Sequence, residues 1–111
     1  MTTSPQPCSK DDFHRERSRF LDAFAGLEEA LHSKPISGAD KSTAELLKTL
    51  RAIRNDLVHS QMRFTPLDGK LHAVVINTEN VGKVARQSRV VALDDFKVLG
   101  SQIGQVKKAL A

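Results

Sequence analysis

Apolar residues recur at helical spacing in three stretches of the chain, and a strand-like stretch lies between the second and third. Phe13, Phe20, Phe24, Leu27 and Leu31 form one stripe, which predicts a helix from Lys10 to about His32. Ser9 is its candidate N-cap, with Asp11 and Asp12 in the first turn where the helix dipole favours negative charge. Arg17 falls on that same stripe. Its head can snorkel at an edge, or it can meet a partner carboxylate or phosphate. Ser33 to Lys41 is a loop punctuated by Pro35 and Gly38. Ser42-Thr43-Ala44-Glu45 matches a capping box, and a second helix is expected from Thr43 to about Ser60. Leu46, Leu50, Ile53 and Leu57 form its core stripe, widened by Leu47 and Val58.

Beyond His59 the helical period stops. Pro66-Leu67-Asp68-Gly69 predicts a turn. Leu71 to Asn77 is rich in β-branched residues and predicts a strand. Asn80 to Lys83 is a second turn region, and Val84 to Leu93 holds the returning strand, centred on Arg89-Val90-Val91. A third helix starts near Asp94. Phe96, Leu99, Ile103, Val106 and Leu110 make its stripe, with Asp94 and Asp95 at its positive end and Lys107 and Lys108 at its negative end. Gly100 and Gly104 lie four apart on one face of it. They permit a close backbone approach, either from within the chain or from a second copy. The expected fold is mainly α: an antiparallel bundle of three main helices with a small β-hairpin between helices 2 and 3. It occupies residues 10–111 behind a flexible tail at 1–9. Helices 1 and 2 pair as an antiparallel hairpin, and homodimerisation covers the apolar surface that three helices leave over.

Composition narrows the function classes. At 111 residues, 40% hydrophobic and 27% charged, the chain has the make-up of one globular domain. It has no Trp and no Tyr, which argues against a nucleic-acid surface built on base stacking. The net charge of +4 favours encounter with a polyanion without establishing one. A single cysteine, Cys8, excludes an internal disulfide and a cysteine zinc site. No two histidines show metal-ligand spacing, and Asp94-Asp95 is helix-start chemistry. His14, His32 and His72 have ordinary structural explanations: the first turns of helix 1, its C-terminal dipole, and a solvent-facing strand position. There is no phosphate-binding glycine loop and no nucleophile elbow. No metal and no cofactor are therefore expected. Met1 to Lys10 lacks the apolar run of a signal peptide, and no apolar stretch reaches membrane-spanning length. The expectation is a cytoplasmic protein with no membrane partner.

The informative segment is Arg51-Ala52-Ile53-Arg54-Asn55-Asp56-Leu57-Val58-His59-Ser60. Arg54 and His59 enclose four residues near the end of a helix, and a polar residue, Asn55, follows the arginine. This pattern resembles the motif of HEPN domains, and the helix–hairpin–helix order around it resembles a compact form of that family over most of residues 11 to 110. The resemblance implies metal-independent RNA cleavage at a composite homodimer site. It also implies a role as a toxin or phage-defence effector, and a cognate antitoxin or nucleotidyltransferase-like partner.

The residue types suit that chemistry. A ribose 2′-hydroxyl must lose a proton and the departing 5′-oxygen must gain one; histidine as a residue type titrates near neutral pH, so His59 could do either task. Arg54 can stabilise the extra negative charge of the phosphorane. Asn55 can orient His59 or bind the nucleic-acid backbone, while Asp56 suits a structural pair. At about 100° per residue, Asn55 and His59 lie roughly 40° apart and Arg54 about 140° from His59. Either the helix ends near His59 and bends the chain, or the site draws on two subunits. Lys48 and Arg51 share the polar side with Asn55 and His59, where they can hold flanking phosphates. The competing class is a non-catalytic interaction or antitoxin-type module, in which His59 serves the helix dipole and Arg54 pairs with Asp56 of a partner.

Overall fold

The computed structural model describes residues 9–34, 40–77 and 88–110. Cys8 and most of the N-terminal segment, the Pro35–Gly38 loop, the turn at Asn80–Lys83 and the start of the returning strand lie outside the described residues. In chain order the elements are α1 (Lys10–Ser33), α2 (Lys41–Val58), β1 (Ser60–Leu67), β2 (Lys70–Asn77), β3 (Ser88–Ala92) and α3 (Asp95–Ala109). The fold is mainly helical.

α1 begins as its sequence predicts. The Ser9 hydroxyl accepts from the Asp12 amide at 3.3 Å and the Asp12 carboxylate accepts from the Ser9 amide at 2.9 Å, so two otherwise orphaned donors are satisfied. Phe13, Phe20, Phe24 and Leu27 are its buried residues. α2 starts two residues earlier than expected and its cap is Asp40, not Ser42. The Asp40 carboxylate accepts from the Thr43 amide at 3.1 Å and the Thr43 hydroxyl at 2.6 Å, and Ser42 itself donates to it. A carboxylate at a helix N-terminus gains from the dipole as well as the hydrogen bonds. A serine hydroxyl carries no charge to match that. Leu47, Leu50 and Leu57 are buried on α2, Leu46 and Ile53 are half-buried, and Val58 is exposed.

The expected hairpin is part of a larger unit. Three strands form one antiparallel sheet in the order β1-β2-β3. β2 and β3 pair as the sequence predicts, but β1 was not expected as a strand. Met62 and Phe64 alternate with Gln61, Arg63 and Thr65 along it, the period of a half-buried strand. Pro66 and Leu67 belong to β1 rather than to the turn, which is the pair Asp68-Gly69 with φ of 51° and 77°. Two successive left-handed residues make the hairpin turn whose twist matches the strands, and Gly69 supplies the second of them without strain. Pro66 is tolerated because β1 is an edge strand.

Register decides which face of the sheet meets the helices. Ala73 and Val75 are fully buried and stand beside Phe64 and Met62 on β1 and Val91 and Arg89 on β3. α1 seats on β1 through Phe13, whose ring is edge-on to Phe64 at 5.5 Å. Phe96, Leu99, Ile103 and Val106 of α3 complete the core. α1 and α2 run antiparallel: Arg17, Phe24 and Glu28 meet Leu57, Arg54 and Arg51 in turn. The wider contact of α1 is nonetheless with α3. Gly100 and Gly104 are exposed, and a side chain placed at either meets nothing within 4 Å. Among the described residues, nothing packs closely against either.

Candidate functional site

The site residues sit on the last turns of α2 and in its junction with β1. α2 ends at Val58, and His59 is its C-cap, with its amide donating to the Asn55 carbonyl at 3.1 Å. The chain then turns directly into β1. Of the two alternatives left by helical geometry, the first condition holds: the helix ends at His59 and the chain bends.

Arg54 and Asn55 face different surroundings. Arg54 is half-buried, and its guanidinium lies 5.8 Å from the ring centroid of Phe24 on α1. Asn55 is exposed and His59 half-buried. Arg51 is exposed as well, but its head is engaged. It forms a two-pronged ion pair across to α1, with Nε 3.0 Å from Glu28 Oε1 and Nη2 3.2 Å from Oε2. This hydrogen-bonded pairing holds the Glu28 carboxyl below its usual value, and the charges of Arg54 and His32 act in the same direction. The same bonds push the Arg51 guanidinium up. Glu28 is thus ringed by three basic side chains. Lys48 remains exposed on α2.

Asp56 takes the structural role, though not with a partner copy. It is 6% exposed and its Oδ2 lies 2.5 Å from Nε of Arg89 on β3. The pairing of Arg54 with Asp56 of a second subunit is thereby disfavoured, since Asp56 is inside its own chain. Arg17 resolves its own alternatives in a third way. Its stem lies in the α1 stripe and its head bonds the Leu57 carbonyl of α2, with Nη2 at 2.5 Å. The Ser60 hydroxyl donates to the same oxygen at 3.1 Å. Neither Arg17, Glu28 nor Arg89 was identified from the sequence as part of this arrangement. The only signal for Arg17 was a charge on an otherwise apolar stripe.

The remaining histidines are peripheral. His14 stands edge-on to Phe64 at 5.7 Å, and His72 Nδ1 lies 2.9 Å from the Lys70 carbonyl. Among the described residues no group of three or more metal-ligating side chains converges, and no helix is long and apolar enough to cross a membrane. Two of the open clefts among the described residues lie elsewhere. One, of about 470 Å³, lies between α1 and α3 beside Lys34 and Lys107. The other, of about 340 Å³, is framed by α2, β3 and α3 around Ile53, Arg89 and Leu99. Arg54, Asn55 and His59 line neither. Comparison of the chain with family models, curated proteins and solved structures returns no significant match.

Proposed function

We propose that this chain is a HEPN-like, metal-independent RNA endonuclease that acts as a homodimer, with Arg54, Asn55 and His59 at a composite site. The observation that carries this reading is the division of labour at the end of α2. Asp56, the one acid in the motif, is withdrawn into a buried ion pair. Asn55 is left exposed, and His59 stands at a bend. The carboxylate that would repel a phosphate is therefore the motif residue turned inward.

In the proposed reaction, an imidazole takes the proton of a ribose 2′-hydroxyl as that oxygen bonds to the adjacent phosphorus. The bond to the 5′-oxygen breaks, and a second imidazole returns a proton to it. The products are a 2′,3′-cyclic phosphate and a free 5′-hydroxyl. A homodimer supplies two copies of His59 for the two transfers, and Arg54 offers paired donors to the phosphorane oxygens. Pairing the arginine of one copy with the histidine of the other is the composite arrangement that the resemblance implies. Lys48, and Arg51 when released from Glu28, would hold flanking phosphates. A cytoplasmic toxin or phage-defence role, with a cognate antitoxin or nucleotidyltransferase-like partner, belongs to the same proposal.

A second reading has one specific observation in its favour. Arg51, Arg54 and Asp56 all interact within the chain, with Glu28, Phe24 and Arg89. A non-catalytic interaction module needs nothing more from the motif. RNA cleavage in EDTA by the wild type, His59→Ala and Arg54→Ala, each at verified oligomeric state, separates the two. The nuclease reading expects cutting by the wild type alone, with each variant folded. Failure of the folded wild-type dimer to cut a mixed RNA pool would favour the interaction module.

A further inference from the structure

We infer that Arg17, on a different helix from the motif, is a positioning residue for His59, and that it acts by holding the C-terminal carbonyl of α2. The inference rests on the proposed nuclease reading for its consequence but not for its geometry.

The last carbonyls of a helix lack amide partners. In α2 the Asn55 carbonyl is served by the His59 amide. Two residues on, the chain has left the helix for β1, which begins at Ser60. The Leu57 carbonyl instead receives two side-chain donors, Nη2 of Arg17 and the hydroxyl of Ser60. His59 is inside the short bend between Leu57 and Ser60. Both sides of that bend are thus fastened to one oxygen, and one fastening comes from α1. The positive charge also stands at the negative end of the α2 dipole, where it is stabilising.

Filling the stripe does not by itself explain an arginine there. It occupies a stripe position between Phe13 and Phe20, both buried. Its Nε is buried and has no hydrogen-bond partner among the described residues, and an unpaired buried donor is costly. An apolar side chain would fill the stripe without that cost. What an apolar side chain lacks is a cationic donor able to reach the end of α2. Arg17 therefore fixes the angle between helix and strand, and with it the direction in which the His59 ring leaves the chain. Reactive groups displaced by about 1 Å lose on the order of a hundredfold in rate.

The test compares the wild type with Arg17→Gln and Arg17→Lys, both of which keep the aliphatic stem in the core. Two quantities are read: kcat and KM for RNA cleavage, and the ring signals of all four histidines by NMR at fixed pH. The expectation for Arg17→Gln is a kcat lowered by about 10- to 100-fold with KM nearly unchanged, and His59 signals shifted while those of His32 and His72 stay in place. Arg17→Lys should restore most of both. Wild-type His59 signals in Arg17→Gln, with only a lowered Tm, would overturn the inference. So would a lysine variant as impaired as the glutamine one. If the wild type cuts no RNA, the nuclease proposal fails, and the histidine signals still decide the role of Arg17.

Discussion

At its N-terminal end α2 is closed by Asp40, three residues before the amide it serves; at its C-terminal end a closing donor comes from Arg17, 40 residues away along the chain. Asp56, in the last turn, is likewise paired with Arg89 at a separation of 33 residues. The first end is secured by its neighbours in sequence. The second has local fastenings in the His59 amide and the Ser60 hydroxyl, but is completed only once α1 and β3 have docked. The candidate site occupies the second end, so its geometry is coupled to tertiary packing in a way the N-terminal cap is not. A change at Asp40 should alter stability and leave the site alone. Changes at Arg17 or Arg89 should reach both.

The largest effect is expected at Arg89. Arg89→Ala removes the guanidinium facing a carboxylate whose side chain is only 8% exposed, while Arg89 itself is 37% exposed. Breaking a buried pair in this direction should cost about 2–4 kcal/mol in urea denaturation. Asp56→Ala should cost less, because the guanidinium left behind still reaches water. Equal losses from the two variants would mean that packing around β3, rather than the buried charge, sets the penalty. Next comes Arg17, where the rate and the His59 signals should change more than Tm does.

Asp40→Ala should have a smaller effect, confined to stability, and it carries a pH signature. The hydroxyl and amide of Thr43 hold the Asp40 carboxyl below its usual value of 3.8. A carboxyl lowered in the folded state stabilises it above the unfolded value, and that contribution fades as pH falls through the folded one. The Tm deficit of Asp40→Ala should therefore be constant near neutral pH and shrink below about 3.8. RNA cleavage by this variant should match the wild type at a temperature where both are folded. A loss of kcat there would break the contrast between the two ends.

The smallest stability change is expected for Glu28→Gln. An exposed ion pair contributes about 0.2–1 kcal/mol, and this one should weaken with salt and below the usual Glu28 value of 4.5. The same substitution frees Arg51. If Arg51 then meets a phosphate, the salt dependence of single-strand binding should steepen by roughly 0.7 in log–log slope. An unchanged slope would place Arg51 among the structural residues.

Local chemistry was legible in the sequence. The period of the apolar residues located three helices, because a helix must turn one stripe inward to bury it. Ser9 with Asp12, the alternating strand at Leu71–Asn77 and the acidic start of α3 are likewise short-range. β1 was missed although its signal was present: Met62 and Phe64 alternate with polar residues up to Asp68-Gly69, a pair suited to a two-residue hairpin turn. The capping-box pattern at Ser42 does not show that Asp40, two residues earlier, is the acceptor the backbone reaches.

The sequence by itself determined that this chain forms three amphipathic helices with a β-hairpin before the last, and that Arg54, Asn55 and His59 fall near the end of the second. Spacing along a single element decides those things. Only the tertiary structure decided what each charge does: that Arg51 answers Glu28, that Asp56 is buried against Arg89, and that Arg17 reaches the Leu57 carbonyl. These partners lie 23 to 40 residues apart. The sequence pattern identifies the charges, but the partner each one finds is chosen by how α1, α2 and β3 pack, because the short reach of a hydrogen bond matters only after burial has brought the elements together.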